Sequence, residues 1–130
     1  MANPRSIARM ESRIKERAAY CLQFELNDPR AGLVTITKVE LAQDLSTVKI
    51  YYSALGSESD HHKFGAMLES AAGFVQRQIA RVLQTRSVPR LSFLFDDSVE
   101  RAASMDRLIS EAIRRDEEIR PEDEELETEG

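Results

Sequence analysis

VTITKVELAQDLSTVKIYYSALG, residues 34–56, is the stretch on which the fold turns. In its second half Val48, Ile50, Tyr52 and Ala54 alternate with Lys49, Tyr51 and Ser53, the period of two expected of a strand with one buried face. In its first half Val34 and Ile36 keep one phase and Val39 and Leu41 the other. One extra residue near Thr37 and Lys38, a bulge, would reset the alternation. The intervening AQDLS is polar enough to return the chain, so the two runs predict an antiparallel hairpin.

Upstream, DPRAG at residues 28–32 reads as a turn, because Pro29 fixes its own backbone and pushes Asp28 out of the helical region. Before it Ile7, Met10, Ile14, Ala18, Leu22 and Leu26 recur at threes and fours, the apolar face of a helix that Ser6 is placed to cap. The opposite face carries Arg5, Arg9, Arg13, Lys15 and Arg17, interrupted by Glu11 and Glu16. Downstream of the hairpin, GSESD offers capping oxygens to a helix in which Leu68, Ala71, Ala72, Val75, Ile79, Val82 and Leu83 keep helical spacing across Gly73. A mid-helix glycine costs about 1 kcal/mol relative to alanine, so the position predicts a bend or the close approach of another backbone. Two helices joined by a kink are therefore expected, with Pro89 ending the second. LSFLFDDS then places Leu91, Phe93 and Phe95 on one face of a third strand, and Met105, Leu108, Ile109, Ala112 and Ile113 mark a last helix. Helix, strand, strand, helix, kink, helix, strand, helix is the order of an α+β domain with its helices on one face of a small sheet.

At 130 residues and 42% hydrophobic, the chain can bury one core. No apolar run approaches the roughly 18 residues of a membrane span, and the N-terminal stretch lacks the apolar centre of a secretory signal. A soluble, cytoplasmic protein is expected. Cys21 is the sole cysteine and sits on the apolar face of the first helix, where it reads as a small buried hydrophobe. The net charge of −5 is unevenly spread: residues 116–130 hold nine acids against Arg120, a net of −8, which leaves +3 for residues 1–115. The expected division is a folded domain at 1–115 and a disordered acidic tail at 116–130, which solvates the chain or masks a basic surface.

Catalysis finds little support. His61 and His62 are adjacent at a helix start and are expected to face solvent; no cysteine joins them in a metal set. Asp96 and Asp97 end a strand, where successive side chains face opposite sides and make a poor acid/base pair. No phosphate-cradling glycine loop is present. The chain is expected to be no enzyme and to need no cofactor or metal.

Four blocks, DPR at 28–30, residues 34–56, AAGFVQRQIA at 71–80 and RSVPRLSFLFDDS at 86–98, stand in the order found in ribosome-binding factor A, a bacterial small-subunit assembly factor, and the chain resembles that family over residues 5–115. The resemblance implies a KH-like fold of type II order. In ordinary KH domains a GxxG loop clamps the nucleic-acid backbone. Here the positions three residues from Gly73 hold Ser70 and Gln76, so that clamp is absent. The family is similar in having Ala-x-Gly at this joint, which Ala71 and Gly73 match. Arg77 and Arg81 share one side of the helix beyond the joint, Lys49 is expected on a neighbouring strand, and Arg86 and Arg90 bracket the exit. With Arg30 of the DPR block and Arg5, Arg9 and Arg13 of the first helix, these form the expected RNA-binding set. Tryptophan is absent and the aromatic side is thin, with only Tyr51, Tyr52 and a few phenylalanines in core phase, so backbone recognition of folded RNA is favoured over base stacking.

The resemblance further implies 16S rRNA and the immature free 30S subunit as partners and release linked to a ribosome-associated GTPase; a monomer is expected. A KH-like adaptor holding a protein partner through its first and last helices is the rival reading, and a small hydrolase built on the two histidines is a third.

Overall fold

Apolar periodicity at both ends of the chain becomes helix, and the alternating runs between them become sheet. The computed structural model describes residues 3–129, excluding the side chains of residues 99 and 119–129. The elements are α1 (Pro4–Tyr20), a π-helical turn (Cys21–Glu25), a 3-10 turn (Pro29–Leu33), β1 (Val34–Leu41), β2 (Thr47–Ala54), α2 (Glu58–Leu83), β3 (Arg90–Phe95) and α3 (Ser98–Glu129). They fall into two compact units, Met1–Asp96 and Asp97–Gly130.

In the first unit β2 is central, antiparallel to β1 and parallel to β3. The bulge lies where the phase change predicts it, with the register shifting between Ile36 and Lys38. It turns Val34, Ile36, Val39 and Leu41 all inward. α1 packs on β1, α2 packs on β3, and the helices touch each other, so both cover the same face of the sheet. Ile14, Ala18, Cys21, Val48, Ile50, Leu68, Val75 and Ile79 fill the space between. The other face stays open: Thr35, Lys38, Thr47, Lys49, Arg90, Ser92 and Leu94 are exposed there. Two side chains tie helix to sheet backbone. Glu11 Oε2 accepts from the Leu41 amide at 2.8 Å, and Gln76 Oε1 accepts from the Leu91 amide at 3.3 Å.

Capping chemistry sets the helix starts. Asn3, not Ser6, caps α1: its Oδ1 accepts the Ser6 amide at 2.9 Å, because the helix begins at Pro4, two residues before Ser6. α2 opens with Ser57 and Asp60 in a reciprocal capping box. Gly56 makes that box possible. Its φ of 141° is open to glycine, and a Cβ there would lie 2.7 Å from Asp60 Oδ2. α2 ends at Gln84, in the left-handed region at φ 52°, five residues before Pro89.

One expectation is corrected. The helix pair joined by a kink at Gly73 is one continuous 26-residue helix. Its apolar stripe, Phe64, Leu68, Val75 and Ile79, keeps a single phase through Gly73 and buries without interruption. α3 runs from Ser98 to Glu129 and includes Pro121. The two compact units divide between Asp96 and Asp97. Within α3, Met105, Leu108, Ile109 and Ile113 are exposed.

Candidate nucleic-acid interface

Cationic side chains stand out from the helical layer because its apolar stripes fix which residues face inward. Ile14 and Ala18 are fully buried on α1, and this leaves Arg5, Arg9 and Arg13 exposed along it. Val75, Gln78 and Ile79 are buried on α2, and this leaves Gly73, Arg77 and Arg81 outside. A Cβ added to Gly73 would meet Arg77 Nη1 at 3.6 Å, an ordinary contact. The first unit does not itself need a glycine there, and Gly73 exposes bare backbone on the same side as Arg77.

Arg17 joins the two helices. Its guanidinium forms an ion pair with Glu25, donates at 3.2 Å to Glu25 Oε2 and at 2.8 Å to Gln78 Oε1, and lies 5.5 Å from the centre of the Tyr20 ring. The Glu25 carboxylate holds Arg17 above its ordinary pKa, and Arg17, with a smaller contribution from Arg81, holds Glu25 below its own. Cys21, one turn before Glu25, is pushed up to about 11 by burial, which fits a packed thiol and no nucleophile.

The expected set does not form one cluster. Lys49 projects from the open face of the sheet, opposite Glu40 on β1 and Ser92 on β3. Arg90 lies on that same face, opposite Thr47. Since α2 covers the other face, Lys49 and Arg90 are separated from Arg77 and Arg81 by the thickness of the sheet. This corrects the grouping around one loop; strand alternation gives the face of Lys49, but only the packing of α2 says which face that is. Arg86 is exposed in the connection between α2 and β3. Arg30 and Ala71 do meet, across a cleft of about 370 Å³ that Leu26, Asn27, Met67 and Ser70 complete. Arg30 is held there by Asp28, with Nη2–Oδ2 at 2.7 Å and Nε–Oδ1 at 3.0 Å. That pairing draws the Asp28 carboxyl down to about 2.

Two side chains outside the expected set belong to this surface. Tyr20 and Phe24, one turn apart, are 53% and 70% exposed with ring centroids 5.0 Å apart. Their positions were legible, since neither falls on the stripe of Ile14, Ala18, Cys21 and Leu22.

The histidines are corrected in part. His62 is exposed, but His61 is half-buried: its Nε2 lies 3.0 Å from the Ala54 carbonyl oxygen and its ring is 4.5 Å from that of Phe95. Helix direction at the α2 start turns His61 back over the sheet. Asp96 accepts from Thr37 Oγ1 at 2.6 Å and Asp97 pairs with Arg101 at 2.9 Å, so each has a structural partner. Among the described residues no group of three histidine, cysteine or carboxylate side chains could hold a metal ion, and no helix is long and apolar enough to cross a membrane.

Comparison with known proteins agrees with this architecture. The family model described as ribosome-binding factor A matches residues 6–109. The ribosome-binding factor A of Nitrosospira multiformis is 39% identical over 108 residues, 83% of this chain and 86% of that one. That of Alcanivorax borkumensis is 40% identical over 118 residues, 90% of this chain and 86% of that one. Among solved structures, the crystal structure of the Thermus thermophilus factor superposes with a TM-score of 0.59 at 32% identity, covering 68% of this chain and 93% of that one. A homology model of the Thermus thermophilus factor, fitted into a cryo-EM map of its complex with the 30S subunit, gives 0.56 at 31%, covering 70% and 96%. The fold is α+β and KH-like. With the helix–strand–strand–helix–strand order, the bulged hairpin and the parallel third strand in place, the chain belongs to the ribosome-binding factor A family.

Proposed function

We propose that this protein associates with the immature free 30S subunit and promotes maturation of 16S rRNA through a non-catalytic surface on the helical layer. The observation that carries the reading is the exposed line Arg5, Arg9 and Arg13 on α1, with Arg77 and Arg81 exposed on the adjoining helix. Fixed cations on rigid elements suit a phosphate backbone, whose neutralisation releases condensed counterions and makes binding salt-dependent. The fitted 30S complex of a relative at 31% identity supports the choice of particle. The protein works as a monomer, in the cytoplasm, and its release is coupled to a ribosome-associated GTPase. Cosedimentation with free 30S subunits and with assembled ribosomes at several salt concentrations tests the proposal. Salt-sensitive binding to the free subunit is expected; preference for the assembled ribosome overturns it.

A second reading, a KH-like adaptor for a protein partner, is favoured by one feature, the exposed Met105, Leu108, Ile109 and Ile113 on α3. Replacing Leu108 and Ile109 by serine separates the two: under the adaptor reading 30S binding is lost, and under the RNA reading it is retained.

A further inference from the structure

We infer that Tyr20 and Phe24 form a stacking platform for one unpaired base of a single-stranded RNA segment, with Arg13 as its cationic rim. The inference deepens the proposed function and rests on it.

The π-helical turn builds the platform. Leu26 donates to the Cys21 carbonyl at 3.1 Å, five residues back, so the chain completes a wider turn at the end of α1. Cys21 and Leu22 enter the core while Phe24 stays outside, one turn from Tyr20. Two large aromatic rings at 5.0 Å and 50° to one another thus stand at the surface. Beside them runs a groove of about 330 Å³ between α1 and α2, lined by Arg13, Glu16, Arg17, Tyr20 and Val82. Its lining combines an apolar wall with the Arg13 guanidinium, the Glu16 carboxylate and the Arg17 guanidinium, whose charge Glu25 already pairs.

Charge decides the occupant. An apolar peptide would gain from the rings but would make no use of the exposed Arg5, Arg9 and Arg13 on the same helix. A base entering beside Tyr20 carries a phosphate on either side, and Arg5, Arg9 and Arg13 continue the cationic line along α1. Arg17 is a positioning residue: Glu25 and Gln78 hold its guanidinium against Tyr20 and so fix the ring. Every base has a π-face, so the platform selects for an unstacked nucleotide and not for a sequence.

The test uses the full chain and a single-stranded RNA dodecamer carrying one 2-aminopurine, whose fluorescence falls on stacking. Parent, Tyr20→Ala/Phe24→Ala and Tyr20→Leu/Phe24→Leu are compared at several salt concentrations, after circular dichroism verifies folding. Expected are quenching by the parent, a loss of affinity of roughly tenfold or more in both variants, and an unchanged slope against salt, since stacking releases no counterions. Three results overturn the platform. Parent-like binding by the leucine variant makes the contact merely apolar. Parent-like binding by both variants, still salt-dependent, leaves the RNA reading standing without the platform. Loss of 30S subunits but not of the dodecamer by the variants assigns the rings to a protein. If the parent binds neither the dodecamer nor 30S subunits, the RNA reading itself falls.

Discussion

Gly73 and Asp28 show how much a single position can separate stability from binding. The Gly73 side of α2 is open, and the space for a Cβ is already there. Gly73→Ala is expected to raise stability by up to about 1 kcal/mol, read as a higher melting temperature, because alanine restores helix propensity without a clash. Affinity for 30S subunits should move the other way, since the methyl group stands where we propose that a phosphate approaches bare backbone. A rise in both quantities would remove Gly73 from the interface. Asp28 is a matter of pH. Its folded-state value, drawn to about 2 by Arg30, lies below the ordinary carboxylate value near 3.9, so its stabilisation is complete above about pH 4 and is lost as pH falls through 2. Asp28→Asn keeps the oxygen that accepts the Arg30 amide but not the ion pair. Its melting temperature should therefore fall less steeply between pH 4 and 2 than that of the parent.

At the scale of elements, α2 offers the sharpest test. Arg77→Glu with Arg81→Glu changes only exposed side chains, so circular dichroism should show an unchanged fold. If each arginine neutralises one phosphate, the slope of log affinity against log salt for 30S binding should drop by about 1 to 2 units. An unchanged slope would move the contact to Arg5, Arg9 and Arg13 on α1. Elements were also where the sequence could be read most fully. The period of two through Thr47–Ala54, the phase change at Thr37 and Lys38 and the stripe of α1 each report local geometry, and each recurs in the structure. Reading failed where a residue's meaning depends on what packs against it. Gly73 suggested two helices joined by a kink, but the stripe and the helix around it are continuous. Lys49 was assigned a neighbour on α2, but its strand turns it to the uncovered face. The aromatic tally looked thin because Tyr20 and Phe24 were never set against the stripe they stand off.

For the whole molecule, charge and compactness divide the chain differently. Residues 116–130 carry a net of −8, and we propose that they solvate the protein and stay outside the folded domain. Removing them should leave the melting transition of the remainder in place, as followed by circular dichroism. A marked loss of stability would show that the boundary is wrong, and a steep gain in RNA affinity confined to low salt would identify the tail as a mask over the basic surface. Sheet topology sets a timetable as well. β1 and β2 are joined by a short loop and can zip together early, whereas β3 pairs with β2 across a long crossover that contains the 26 residues of α2. β3 is thus the last strand to be sealed. Leu91→Ala, in β3, is expected to speed unfolding and hardly slow folding, while Ile50→Ala, in β2, slows folding itself; stopped-flow chevrons would read the difference. On a ribosome still extruding the chain, both strands of the hairpin emerge before β3, so a nascent copy has the edge of β2 unpaired until the final strand arrives.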